Sequence, residues 1–283
     1  MDSSYQQSVN GVSLDFQLDA NSNVNPEEIA LEIEKCENMQ YLILKNVKIG
    51  VQLAQAISQA LQRNGAQLKS VQLNGTFKRF SKTEIPISLK HISLGLSLSQ
   101  AHLTELDISD NSIDTSIGIQ SLVCLLCSST CYTLNTLKLN YNSLNSFSGK
   151  KIAQALLECH ANSMKETTRP LELKVFEAGK NYLDDESAIA LAKVFKTIKS
   201  LEELSLPKNK IGDLGMLAII DSLSVNPGIR VLDFNNNNLS FESIQALAKI
   251  IPYFLHLQIL TLSGNKLTSK GEDLISEALG MCK

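Results

Sequence analysis

Asn111, Asn142, Asn181, Asn209, Asn237 and Asn265 each stand at one fixed place in a recurring phrase: an apolar residue lies eight, five and three positions before the asparagine and another two after it. Leu103, Leu106, Ile108 and Ile113 frame the first of these asparagines, and Leu134, Leu137, Leu139 and Leu144 frame the second. Leu173, Phe176, Ala178 and Leu183 repeat the pattern, as do Leu201, Leu204, Leu206 and Ile211. Ile229, Leu232, Phe234 and Leu239, then Leu257, Leu260, Leu262 and Leu267, complete it. A polar amide held in register by apolar neighbours means that the chain builds an array whose units bury one another's faces.

The phrase is that of a leucine-rich repeat, in which a short strand lines the inner face of a horseshoe and the asparagine bonds neighbouring backbone groups. The last three intervals between asparagines are each 28 residues, which accommodates a strand, a loop, a full helix and a return. Helix-period apolar runs follow the strands: Ile152, Leu156 and Leu157; Ile189, Leu191, Val194 and Phe195; Ile244, Leu247, Ile250 and Ile251. Two degenerate copies come earlier, through Leu42, Leu44 and Val47 and through Leu68, Val71, Leu73 and Thr76. The expected fold is therefore an α/β leucine-rich repeat solenoid of about eight repeats, with parallel inner strands and outer helices. A single domain is expected over residues 1–283, without a linker, with residues 1–38 as an N-terminal cap and approach to the first strand and residues 39–283 as the repeats.

A net charge of −3 lacks the basic excess that nucleic-acid binding calls for, and no apolar run reaches the roughly 18 residues that span a membrane. The polar start from Met1 to Asn10 has no signal-peptide core, and six cysteines without framework spacing fit a reducing compartment. The cytoplasm is the expected location, from which a folded protein can still shuttle or dock at a membrane.

Cys124, Cys127 and Cys131 have the spacing of a shared helix face and invite a metal reading. Leu122, Leu125 and Leu126 place the segment on a buried helix, where cysteine packs as a small hydrophobe, and core packing is the better reading. Cys159 and His160 are adjacent and so point about a hundred degrees apart, which does not make a nucleophile and its base. His91, His102, His160 and His256 never come within ligand spacing, and no phosphate-cradling glycine loop occurs. Asp184 with Asp185, and Glu202 with Glu203, read as solvated repeat edges and helix starts rather than acid–base pairs. No metal, no cofactor and no active site of the chain's own are expected.

Function tends to enter a solenoid where the rhythm breaks. The interval from Asn142 to Asn181 is 39 residues, and the polar stretch from Ala161 to Pro170 reads as a surface loop after a helix. The other break follows the second strand, where Phe77, Lys78, Arg79, Phe80, Ser81 and Lys82 lead into Thr83, Glu84, Ile85 and Pro86: three cations among two aromatics on one rim. Lys138, Glu203 and Asp233 should project from the concave face with mixed sign.

Through these segments the chain resembles the Ran GTPase-activating protein family. The stretch from Phe77 to Pro86 is similar to that family's loop ahead of its third repeat. LTELDISDN (Leu103 to Asn111), SSTCYTLNTLKL (Ser128 to Leu139), LKVFEAGKN (Leu173 to Asn181), LEELSLPKN (Leu201 to Asn209) and VNPGIRVLDFNNN (Val225 to Asn237) extend the likeness. The polar insertion after His160 also falls where that family carries one.

The resemblance implies a protein that accelerates GTP hydrolysis by the small nuclear-transport GTPase Ran, docking the crescent's rim on the GTP-bound switch regions. Family members do without an arginine finger; an asparagine on the loop after the fourth strand orients the GTPase's own catalytic glutamine. Here Tyr141 stands at that asparagine's place, between Asn140 and Asn142. Where the family reads F-T-G-R, Phe80 takes the arginine's position and Arg79 lies one residue early, while Lys82 matches the second basic position. Tyr182 replaces another family arginine and leaves Lys180 as the nearby cation. The GTPase-contact candidates are therefore Lys78, Arg79, Lys82, Asn140, Tyr141 and Lys180. The expected partner is a Ran-like GTPase in its GTP form, with no nucleic acid and no membrane span, and the chain is expected to act as a monomer. Two alternatives stay open: a non-catalytic interaction protein using the same surface, and a binding crescent of the ribonuclease-inhibitor kind.

Overall fold

The computed structural model describes residues 6–8, 11–15, 26–77 and 80–281. The chain forms two compact units, Met1–Asn142 with Glu158–Leu171, and Ser143–Leu157 with Glu172–Lys283.

In the first unit β1 (Gln6–Ser8) runs antiparallel to β2 (Gly11–Asp15), and from β2 onward every pairing is parallel: β3 (Tyr41–Lys45), β4 (Ser70–Gln72), β5 (Glu105–Asp107) and β6 (Thr136–Lys138). Each strand keeps an apolar residue on the inner side of its pleat, and those residues stack in register as Leu42, Val71, Leu106 and Leu137, all at most 1% exposed. Parallel neighbours need a crossover, supplied by α2 (Val51–Asn64), α3 (Glu84–Leu98) and α4 (Ser116–Leu126), with α1 (Pro26–Lys35) before β3. The β1/β2 hairpin lies ahead of the first repeat legible in the sequence, and Val12 and Leu14 of β2 join the core.

The second unit repeats the plan with β7 (Val175–Glu177), β8 (Glu203–Ser205), β9 (Val231–Asp233) and β10 (Ile259–Thr261), all parallel. Its helices are α6 (Asp185–Ile198), α7 (Asp213–Leu223), α8 (Phe241–Ile250) and α9 (Ser269–Gly280). Asp184 starts α6 with a reciprocal capping box, its carboxylate accepting from the Ser187 amide at 3.1 Å. Leu191, Val194 and Phe195 of α6 are buried as the periodicity implies, whereas Ile189 turns outward at 37% exposure.

The asparagines do what the phrase requires. Asn209 is representative: its Nδ2 donates to Leu206 O at 3.1 Å in its own repeat and to Ala178 O at 3.0 Å in the one before, and its Oδ1 accepts from Leu183 N at 3.0 Å. Asn111 bonds Ile108 O, Leu73 O and Phe77 N in the same manner, and Asn237 bonds Phe234 O, Leu206 O and Ile211 N. A second buried asparagine works at a helix end. Asn226 donates to Phe195 O and Ser222 O and accepts from Leu201 N, tying the end of α7 to the repeat before it.

One sequence expectation fails. The stretch from Ala161 to Pro170 is not a loop: α5 runs from Ser146 to Thr167 and takes most of it in. Ala161, Met164, Lys165 and Glu166 are good helix formers, and nothing before Pro170 breaks the helix. The helix stops where Thr168 turns to φ +60° and Ser163 Oγ reaches forward to Arg169 O at 2.6 Å.

Leu139 is fully buried beside this ladder. Its replacement by alanine is expected to cost about 2–5 kcal/mol in equilibrium denaturation, the range for emptying a core leucine site. Asn209→Asp is expected to destabilise at least as much as Asn209→Ala, since a carboxylate keeps the acceptor but cannot donate to the three carbonyls that the amide now serves. A denaturation midpoint unchanged in Asn209→Asp would show that those carbonyls do not need the donor.

Candidate functional site

The ladder dictates the conformation of the loops that follow the strands. Each residue just before a ladder position has a positive φ: Gly75 +66°, Asp110 +63° and Tyr141 +56° in the first unit, then Lys180 +55°, Lys208 +54°, Asn236 +53° and Gly264 +73° in the second. Left-handed backbone costs a non-glycine residue roughly 1–2 kcal/mol. It persists because the amide of that residue is bonded onward to the next repeat, as in Asp110 N to Asn140 O at 2.8 Å and Lys180 N to Pro207 O at 2.7 Å.

Tyr141 is the bulkiest side chain to occupy this position and is 47% exposed. Asn140, one residue earlier, is half-buried at the continuation of β6, on the alternation that carries Lys138. Its backbone is pinned on both sides, the N–H donating to Ser109 Oγ at 3.1 Å and the carbonyl accepting from Asp110 N. Asn142 is fully buried in the ladder, where it accepts from Asn111 N at 2.9 Å and donates to Ile108 O at 3.0 Å. The loop therefore presents Tyr141 to solvent, and moving Asn140 into its place would break two hydrogen bonds.

The loop ahead of α3 differs from its sequence reading. Phe77 does not project from the rim: it is fully buried, its N–H donating to Asn111 Oδ1 at 2.9 Å. Phe80 is half-buried, with its ring so close to Gly50 that a Cβ there would sit 3.1 Å from Phe80 Cε1. The aromatics thus anchor the loop, because a phenyl ring gains more from burial than from display. Lys82 is exposed and pairs with Asp114 at 3.3 Å across the rim. Ser81 and Glu84 brace Lys82 from both sides in a reciprocal cap, Ser81 Oγ to Glu84 Oε2 being 2.7 Å, and these bonds hold the Glu84 carboxyl below its ordinary pKa. Lys78 and Arg79 lie outside the described residues.

In the second unit Lys180 is half-buried, and Tyr182, 53% exposed, lies beneath Lys210 with the ammonium 4.9 Å from the ring centroid. On the strands Glu203 is paired with Arg230 at 2.8 Å, and Asp233 accepts from Thr261 Oγ1 at 2.7 Å. Glu202 holds Lys174 at 2.8 Å, so these acids are parts of ion pairs and cross-strand bonds. Lys138 of the first unit is half-buried.

The cysteines separate by environment. Helix α4 ends at Leu126, so Cys127 caps it and Cys131 belongs to the following 3-10 turn, Ser129–Cys131. Only Cys131 is core; Cys127 is half-buried, and Cys124 is exposed, contrary to the packing expected for all three. Burial, aided by Glu158, pushes the Cys127 thiol up to about 11. Burial also raises Cys159 to about 12 and Cys131 well above the thiol range, and Cys159 Sγ lies 3.6 Å from Cys131 O. Thiols so protonated are poor nucleophiles.

No described helix is long and apolar enough to cross a membrane. A family model described as "Leucine Rich repeat" matches residues 99–119 and 197–219, and one described as "Leucine Rich Repeat" matches residues 256–280. The chain is similar to Ran GTPase-activating protein 1 of Xenopus laevis, 40% identical over 194 residues, which is 69% of this chain and 33% of that protein. It is 34% identical over 222 residues to the Ran GTPase-activating protein of Drosophila melanogaster, 78% of this chain and 37% of that one. The chain thus spans about a third of the length of these relatives. Among solved structures it is similar to an internalin from Listeria monocytogenes, with a TM-score of 0.50 at 17% identity over 87% of this chain and 61% of that one. That likeness bears on the fold alone, which is a leucine-rich repeat α/β fold.

Alkylation with iodoacetamide at about pH 8, read by peptide mapping, is expected to modify Cys124 ahead of Cys127 and to leave Cys131 and Cys159 unmodified in the folded protein. Early labelling of Cys159 would contradict the burial assigned to it.

Proposed function

We propose, from a repeat region homologous to that of the Ran GTPase-activating proteins, that this chain activates GTP hydrolysis by a Ran-like GTPase in the cytoplasm. The observation that carries the reading is identity of 34–40% with two proteins of that name over 69–78% of this chain. The GTPase supplies the phosphate site and the attacking water, and this chain contributes no active site of its own. What it has to supply is orientation and charge at a reaction whose transition state needs an aligned water and compensated oxygens.

Tyr141 is the residue we place against the GTPase's catalytic glutamine. Its backbone turns at φ +56° and its side chain is 47% exposed, where its phenol can donate or accept a hydrogen bond to an amide. Asn140 supports that loop from below through its bonded backbone. Lys82, braced by Ser81 and Glu84, and Lys180, one ladder step from Asn181, serve docking; Lys78 and Arg79 extend the same charge on the loop ahead of α3. Such rim charges act mainly on the rate of encounter.

Single-turnover hydrolysis by GTP-loaded Ran, with this protein in excess, is expected to accelerate by about three to five decades, the range known for activated GTPases. Tyr141→Asn is expected to raise the plateau rate, because a short amide reaches the glutamine with better geometry, and Tyr141→Ala to lower it. Lys82→Glu should raise the half-saturating concentration and leave the plateau alone. Unchanged hydrolysis with saturating protein would reject the activator reading in favour of a non-catalytic binder.

A further inference from the structure

Helix α3 packs differently against its two neighbours in the first unit. Against α2 it closes tightly: a Cβ built on Gly95 would sit 2.7 Å from Ser58 Cα, so only glycine allows that approach. Against α4 it leaves a cleft of about 610 Å³, within the size range of small-molecule sites. Small side chains line it where larger ones would have filled the space: Ser93 and Ser97 from α3, Ser116 and Ser121 from α4. Most of the remaining surface is apolar, with Leu94 48% and Ile117 62% exposed along the walls.

Two polar groups in this cleft lack partners among the described residues. Ser121 Oγ donates to Ile117 O at 3.0 Å and Ser128 Oγ to Leu125 O at 2.6 Å, each satisfied by its own backbone. Ser93 is not: it is 4% exposed, and its Oγ has no hydrogen-bond partner. A buried hydroxyl left in this way is costly in the free protein and available to a ligand. Lys90 lies about one turn earlier on the same face of α3. It is exposed and makes no ion pair with any described residue. Among the described residues that line the cleft it is the one charged side chain, and no carboxylate accompanies it.

We infer that the cleft between α3 and α4 binds a small carboxylic acid with an unbranched apolar chain. The chain lies along Leu94 and Ile117, and the carboxylate sits at Lys90, where Ser93 Oγ donates a second bond. A carboxylate accepts from an ammonium and a hydroxyl at once, which gives both groups what they lack in the free protein. An amine would meet Lys90 as a like charge, and an alcohol would leave the ammonium without a counter-charge. From Lys90 to Ser97 the helix rises about 10 Å, the length of a medium-chain acyl group. None of these residues is among those placed against the GTPase, so the inference does not depend on the activator reading.

The test uses octanoate and the intact chain. Cys124 lines the cleft and is exposed, so the rate of its alkylation by iodoacetamide reports occupancy. Octanoate below its micelle concentration is expected to slow labelling of Cys124 and to leave that of Cys127, which does not line the cleft, unchanged. Octanol and octylamine at the same concentration are expected to protect far less. K90E should raise the half-protecting concentration of octanoate at least about tenfold, the scale of a lost hydrogen bond to a charged group. S93A should raise it by less and leave the denaturation midpoint at or above wild type, because alanine has no hydroxyl to leave unpaired. Equal protection by octanol, an unchanged half-protecting concentration in folded K90E, or no protection of Cys124 by octanoate would each overturn the proposal. Hydrolysis of GTP by Ran, measured separately, reports on the activator reading alone.

Discussion

Everything distinctive about this chain hangs on one buried amide used over and over. An asparagine placed among leucines would be a liability if unpaired, since an unmet polar group in the core costs on the order of 1–3 kcal/mol. Here each ladder asparagine finds backbone partners in its own repeat and in its neighbour, as Asn237 does with Phe234 O, Leu206 O and Ile211 N. The amide is the smallest side chain that both donates twice and accepts, which a serine, an aspartate or a leucine cannot do. The same bonds that satisfy it also stitch consecutive repeats, so burial of the leucines and pairing of the amide stand or fall together.

That stitch has a conformational consequence. To present its carbonyls to the asparagine, the chain must turn sharply just before it, and the turn forces a left-handed residue at the point where the loop emerges. Glycine fills the position at Gly75 and Gly264, but Asp110, Tyr141, Lys180, Lys208 and Asn236 accept the strain. Each of these five is held by a structure that over-determines its backbone, so the position does not require glycine. The loop rim is therefore a set of fixed positions with variable contents. Charge and aromatic character can change there, repeat by repeat, at little cost to the core.

How much of this could be read from sequence follows from the same division. The strands, the ladder and the helices were legible because their apolar spacing is dictated by burial, and Leu106, Leu137, Leu204 and Leu232 all sit at the centres of strands as the phrase demands. Three things were not. The extension of α5 through the polar stretch was missed because polarity is a correlate of loops, while the helix there depends on propensity and the absence of a breaker before Pro170. The β1/β2 hairpin carries too few residues for a periodic signal. Phe77 and Phe80 looked like a display of aromatics beside cations, and only three-dimensional packing tells that one ring fills the core and the other lies on Gly50. Asn226, the helix-end counterpart of the ladder, could have been found: it stands 25 residues after Leu201 and 31 after Phe195, each of which it bonds through the backbone.

Tyr141 is where this division between fixed backbone and variable side chain is clearest. At that ladder-preceding position the backbone cannot shift without breaking Asn142 and Asn140 from their partners, so a change of side chain alters what is offered while leaving where it is offered untouched. A tyrosine there extends several ångströms farther than an asparagine and carries one hydroxyl instead of a paired donor and acceptor. Whatever meets this loop meets a phenol where an asparagine would offer a shorter amide. A phenol at this backbone position therefore changes the reach and the hydrogen bonding of the loop while the ladder bonds on either side of it stay as they are.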